Sequence, residues 1–410
     1  MSDPQYKAKE ALVVDLQDFI YRSPERVGKF NTAISSARNP KNGGAEEMNA
    51  EGIKTLDDYL RFCDDLLRWT PKVSSKGDEL LDKLLIFYWV LDQPVIRGLQ
   101  TPITPASSNV DLSWLSYWLV SYARGMGQFM NTPQSAASIY TFYLNSQYNK
   151  EASLWEEPQA GWMSFNHWFA RCWRDINEAR PIDGESDDNI IVSTADSMYD
   201  GNWLINDGIV SIQGEEHFYL KGVKVDWPIK DLLRTTGDEW KNGHFMHAFL
   251  SPTDYHRQHA PVSGKVIEAR VIQNQVYLQV EKKKDENGLC ADRAIARPRH
   301  EIDRRGELYK LDAPDEAGYQ WCQTRGLIVI QTANYGKVAI LPIGMAQVSS
   351  VVITTKVGND VKKGDNISYF QFGGSDVVVV FEKRVNFRPD LSAGKTKLDV
   401  RVKMATFNPA

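Results

Sequence analysis

The stretch YFQFGGSDVVVVFEK, residues 369–383, sets two glycines and a serine between an aromatic strand-like pattern and an almost pure valine run. Glycine weakens a strand, so a pair of them marks a bulge, a sharp bend or a close backbone approach. Ser375 directly after Gly374 opens three chemical uses. A hydrolase nucleophile would sit in G-x-S-x-G on a strand-to-helix turn, but valines follow here. A phosphate cradle needs a helix N-terminus after the glycines, and the valines deny that too. The third use is internal: the Ser375 hydroxyl attacks the carbonyl of Gly374, given a strained turn and a base to take its proton. A β-bulge with a buried serine explains the same residues without chemistry.

Four of the seven histidines fall in two HxxH pairs. His244 and His247 lie in GHFMHAFL. In a strand, residues three apart point to opposite faces, so these two cannot share one ion. HExxH and cysteine clusters are absent from the sequence, and no metal is expected. His256 and His259 lie in DYHRQHAP, between the turn SPTD and Pro261. An irregular connection there could turn both rings towards one site, and histidine suits proton shuttling near neutral pH. A pair of structural histidines is the alternative.

The elements that must position these residues fall into two parts. TLDDYLRFCDDLLRWT, DELLDKLLIFYWVLDQ, VDLSWLSYWLVSYARGMGQFM and SAASIYTFYLNSQYN carry apolar residues at helical steps, and their Met and aromatic stripes read as core. After Pro181 the segments are short and β-rich with turn residues between them, which suggests an all-β barrel or sandwich. The expected fold class is α+β: a helical N-terminal domain over 1–150 and a β-rich catalytic domain over 151–410. The charged stretch from Lys283 to about Gly318 reads as a solvated loop or an active-site lid.

Bulk numbers narrow the partners. The chain has 410 residues, 42% hydrophobic and 25% charged, with a net charge of -5. That balance argues against nucleic acid as the main partner. No run reaches the apolar length of a transmembrane segment. The start, MSDPQYKAKEALVVDLQ, has no apolar h-region, so no signal peptide and a cytoplasmic location are expected. The four cysteines are far apart and form no CxxC pair, which fits reduced thiols.

Taken together, these motifs resemble the phosphatidylserine decarboxylase family of pyruvoyl enzymes, and within it the soluble fungal branch that includes L-tryptophan decarboxylase. The resemblance rests on YFQFGGSDVVVVF preceded by VKKGDNIS, on LSPTDYHRQHAPVSG, on STADS after RPIDGESDDNIIV, on SFNHWFARCWRDINEARPI, on FYLKGVKV and on GKVAILPIGMAQVSSV. They run in family order from about Ser164 to Glu382. The resemblance implies self-cleavage between Gly374 and Ser375, leaving a pyruvoyl group derived from Ser375 on the fragment 375–410, which remains a partner of the rest. It implies His259 as the base oriented by Asp196, in a triad with Ser375, and His256 as proton donor in the later decarboxylation. The pyruvoyl ketone would form a Schiff base with the substrate amine and replace PLP as electron sink. Family members usually carry Ser or Thr after the processing serine; this chain has Asp376. A carboxylate there could aid elimination, repel substrate or slow maturation, although strand alternation would turn it away from Ser375.

The expected substrate is a small-molecule amino acid, aromatic by the branch resemblance. Phosphatidylserine is the alternative, disfavoured by the acidic balance and by the lack of a basic amphipathic helix. A third reading is an unprocessed relative that works without pyruvoyl. APVSGKVIEARV and VKKGDNIS also resemble biotinyl and lipoyl carrier hairpins, but VIQNQV offers no lysine at a hairpin tip.

Overall fold

The computed structural model describes residues 5–75, 77, 79–213, 224–282, 289–292, 318–345, 351–372, 374–393 and 396–408. Among these, helices dominate up to Ala179 and strands begin at Ile190. The periodic segments form helices Leu56–Leu67, Glu79–Leu91 and Trp114–Phe129. Thr55 starts the first of these with a reciprocal capping box to Asp58, which satisfies otherwise orphaned N–H groups. SAASIYTFYLNSQYN is helical only over Tyr140–Leu144. A 3-10 turn at Pro133–Ala136 precedes it, and Phe142 turns inward against Trp168 instead of extending an amphipathic stripe.

The strands build an α+β fold around one ten-stranded sheet. Along its path run Asp360–Val361, Gly264–Ile272, Arg325–Gln331, Lys337–Met345, Gly374–Phe381, His244–Leu250, Ser197–Asn206, Ile209–Gln213 and Lys224–Pro228, with Thr396–Leu398 beside Ser197–Asn206. All these pairings are antiparallel. The sheet is open rather than closed into a barrel among the described residues. The strand that starts at Gly374 stands in the middle of that path.

Its valine run is explained by where it lies. A strand covered on both faces reads as a continuous apolar run, not as an alternation. Val377, Val379 and Phe381 join a core cluster that also holds the buried faces of the N-terminal helices. Val378 and Val380 face a second cluster with Trp227, Phe245 and Trp321. Burial of each such side chain favours the fold by about 1.5–3 kcal/mol. The same alternation sends Ser375 to the helix-covered face and Asp376 to the other.

Two three-stranded sheets complete the frame, beside a two-stranded pairing of Gln279–Lys282 with Leu289–Asp292. One pairs Asn366–Phe370 with both Val351–Ile353 and Arg257–His259. The other pairs Lys403–Phe407 with Ile190–Val192 and Val385–Phe387. The expected irregular run through DYHRQHAP therefore holds only up to His256, because backbone pairing draws Arg257–His259 into a short strand. Gly373, Phe218–Val223 of FYLKGVKV, Ala346–Ser350 and most of Lys283–Gly318 lie outside the described residues.

Candidate active site

Ser375 is fully buried, and its Oγ has no hydrogen-bond partner among the described residues. In register it stands opposite Leu250 on one side and Gly344 on the other. Gly344 puts no side chain beside the serine, so one flank of the hydroxyl is free of crowding from its own sheet. Leaving a buried hydroxyl unpaired costs about 1–3 kcal/mol, and such exceptions ask for a reason.

The approach to Ser375 is anchored by the helix Phe165–Phe169. Asn166 accepts the Phe372 N–H through Oδ1 at 2.8 Å, while its amide donates to Gly127 O and to Asn131 Oδ1. Phe372 then packs edge-on against Phe165, Phe169 and Trp69. Phe169 stacks flat on the His256 ring at 3.8 Å. One short motif, SFNHWFAR, thus fixes the chain before the serine and one face of a candidate histidine.

His256 is buried, with Nε2 3.3 Å from Pro252 O. A carbonyl only accepts, so Nε2 carries the proton and Nδ1 keeps a lone pair; Nδ1 has no partner among the described residues. Burial, with the nearby Arg171 charge, pushes the His256 pKa down to about 3. Arg171 is itself buried, its guanidinium lying over Trp155 and Trp168 and reaching the Asp254 carbonyl at 3.3 Å. Its pKa falls to about 10, chiefly through burial.

His259 is held differently. Its backbone N–H donates to Thr194 O at 2.8 Å, and its Nδ1 donates to Gly364 O at 2.7 Å. That fixes the neutral tautomer with Nε2 as the basic atom, which accepts from Tyr255 OH at 3.1 Å. Burial lowers its pKa to about 4, although the Gly364 bond opposes the shift. Gly364 has φ +85, and a Cβ there would meet Ile182 Cδ1 at 2.7 Å, so the VKKGDNIS turn needs glycine to present this carbonyl.

Asp196, the expected orienter, holds Arg180 instead: Nε and Nη2 donate to its two oxygens, and Val400 N–H donates to Oδ1 at 2.8 Å. Arg180 also reaches Glu151 at 2.8 Å. In this arrangement the orienting atom on His259 is the Gly364 oxygen, and Asp196 acts on His259 through space, favouring the charged ring. The structure brings His259 and Asp196 onto adjoining segments without a direct bond.

The sequence reading missed the far face of the serine strand. Asp376 is fully buried and accepts from His247 Nε2 at 3.0 Å; His247 Nδ1 donates to Asp200 at 2.8 Å. Burial alone would lower the His247 pKa, but the Asp376 charge and the bonds to both carboxylates carry it up to about 10. Asp200 is the residue left over where the register shifts between Tyr199 and Gly201. A bulge of this kind re-aims a side chain. Asp376 therefore points away from Ser375 and is compensated. His244 lies on the opposite face, accepting the Val385 N–H at 3.3 Å, as strand parity requires.

The phosphatidylserine decarboxylase family profile matches residues 165–407. The phosphatidylserine decarboxylase proenzyme of Fusobacterium nucleatum is 28% identical over 283 residues, covering 68% of this chain and 79% of that protein. Phosphatidylserine decarboxylase proenzyme 2 of Oryza sativa subsp. japonica is 29% identical over 289 residues, 68% of this chain but only 39% of the rice protein. Decarboxylase iboD of Amanita muscaria is 25% identical over 254 residues, 60% of this chain and 67% of that protein. With more than half its length under the family profile, including the Ser375 strand and both candidate histidines, the chain belongs to the phosphatidylserine decarboxylase family.

Proposed function

We propose that this decarboxylase-family chain acts on a free aromatic amino acid or a small derivative, after self-cleavage at Gly374–Ser375 creates a pyruvoyl group from Ser375. The observation that carries the reading is the buried Ser375 hydroxyl, unpartnered among the described residues, at the head of the central strand, with Gly344 beside it. A hydroxyl with no competing bond is available for attack on the neighbouring carbonyl.

In this reading His259 Nε2 takes the Ser375 hydroxyl proton as Oγ attacks the Gly374 carbonyl carbon. The Gly374–Ser375 amide bond breaks, its nitrogen takes up a proton, and Gly374 becomes an ester of Ser375. Loss of the Ser375 α-proton with cleavage of Cβ–Oγ releases Gly374 as a carboxylate. Hydrolysis of the resulting enamine, by way of its imine, releases ammonia and leaves the ketone on residue 375. When present, the pyruvoyl group supplies an electron sink for the pair freed as carbon dioxide departs. Tyr255 and Gly364 hold His259 in its neutral tautomer, and Asp196 favours the charged ring once it has taken the proton. His256 serves the later step as proton donor to the substrate carbon, after its unpartnered Nδ1 has first taken up a proton. The aromatic rings of Phe169, Phe372 and the half-buried Trp69 support an aromatic substrate, which they would shield from water.

Purified protein incubated with the aromatic amino acids and, separately, with phosphatidylserine micelles tests the substrate. Carbon dioxide from an aromatic amino acid is expected; release from the lipid alone would overturn this choice. The lipid reading has one observation in its favour: Tyr140, Leu144 and Met163 are largely exposed on the helical part.

A further inference from the structure

We propose that Asp376, His247 and Asp200 form a buried ionic clamp that keeps the new chain end in the sheet once the bond before Ser375 is cut. The inference rests on the self-cleavage reading and concerns what happens next. An intact strand is held by its continuation at both ends. Scission turns Ser375 into a terminus, and chain termini fray unless tied down. The first full side chain after the cut is Asp376.

The geometry of that side chain is unusual. Asp376 Oδ2 lies 3.0 Å from His247 Nε2, and His247 Nδ1 lies 2.8 Å from Asp200 Oδ2. A carboxylate on each ring nitrogen favours the charged form of His247, which can donate to both. Asp376 and His247 come from adjacent strands, with His247 opposite Val378 and Asp376 opposite Phe249. Asp200 comes from the next strand over, aimed by its bulge. Gln320 Nε2 sits against both members of the pair, 2.9 Å from His247 Nε2 and 3.3 Å from Asp376 Oδ2. The clamp therefore ties residue 376 across two neighbouring strands, on the face opposite the reacting hydroxyl, where it leaves the chemistry clear.

Stability alone does not explain it. Buried ion pairs are often replaceable by apolar residues at no loss, because desolvation cancels much of the attraction. An apolar pair continuing Val378 and Val380 would serve an uncut strand as well. A charged tether becomes useful where backbone continuity is lost, because its bonds are directional and hold one residue in one place. These are positioning residues: none is placed in contact with the reacting atoms.

The test uses the full chain and the double variant Asp376→Val with His247→Leu, which removes the two fully buried members of the clamp together and leaves Asp200 at its part-exposed edge. Denaturing mass spectrometry reads splitting, and hydrogen exchange reads the backbone of 376–381. Each is measured in the parent, in the double variant, and in both with Ser375→Ala, which keeps the chain whole. The clamp predicts that the double variant folds and splits. It also predicts that exchange at 376–381 rises about tenfold in the split protein but not in the uncut Ser375→Ala background. Equal exchange in split parent and split variant would overturn the clamp alone, as would a rise of the same size in the uncut chain. A double variant that folds but no longer splits would overturn it too, moving the role to before the cut, and one that fails to fold would make the cluster structural. A parent that never splits would refute the self-cleavage reading itself.

Discussion

At Ser375 a hydroxyl sits in a buried sheet interior with nothing among the described residues to bond to, while two histidines held neutral by burial lie on the segment that follows its neighbouring strand. If Ser375 is the nucleophile, Ser375→Ala gives a single uncut chain by denaturing mass spectrometry. His259→Ala slows splitting by about 10²–10⁴-fold, the usual contribution of a positioned base. The base must be neutral to accept a proton. Because burial holds the His259 pKa near 4, the splitting rate is expected to stay level from neutral pH down to about 5 and to fall below that; a fall centred on the ordinary histidine value of 6.5 would contradict this. Linkage has the same sign. From pH 6.5 down to about 4 for His259 and about 3 for His256, the unfolded chain binds protons that the folded rings exclude, so stability drops on acidification through that window.

At the scale of elements, short motifs act as braces. Asn166 is the brace before the cut, so Asn166→Ala is expected to lower stability by about 1–3 kcal/mol, read as a shift in urea midpoint, and to slow splitting beyond what that loss explains. The His247 strand carries a charge of opposite pH behaviour. With a folded pKa near 10, its stabilisation is complete below 6.5 and is lost as pH rises through 10; the facing groups are Asp200, Asp376, the Gln320 amide and the edge of Tyr319. Urea midpoints of parent and His247→Leu/Asp376→Val should therefore converge at alkaline pH. Ser375, His256 and His259 were picked out in the sequence through the family motifs around them, since their residue types alone fit a β-bulge serine and structural histidines as well. The amphipathic helices were legible through their period. The Asp200–His247–Asp376 cluster was not, because a bulge and a register between strands distant in sequence bring it together, and a one-residue slip would send each side chain to the other face. The same limit applies to Asp196: its phrase was visible, but its partner Arg180 is chosen by packing.

Across the whole molecule, the serine strand is enclosed. Its neighbours are Lys337–Met345 and His244–Leu250, and its two faces meet two separate apolar clusters. The piece 375–410 also supplies the partner strand of Ile190–Val192 and the edge strand beside Ser197–Asn206. A cut at Gly374 should therefore leave the two pieces co-eluting on size exclusion without denaturant and separating only when unfolded; early release of the small piece would contradict that packing. No described helix is long and apolar enough to cross a membrane. The most direct test of the central claim is denaturing intact-mass spectrometry of freshly purified full-length protein. Two chains that meet at Gly374/Ser375 are expected, the second beginning with a ketone in place of the serine amine. A single uncut chain of 410 residues that still releases carbon dioxide from its substrate would contradict it.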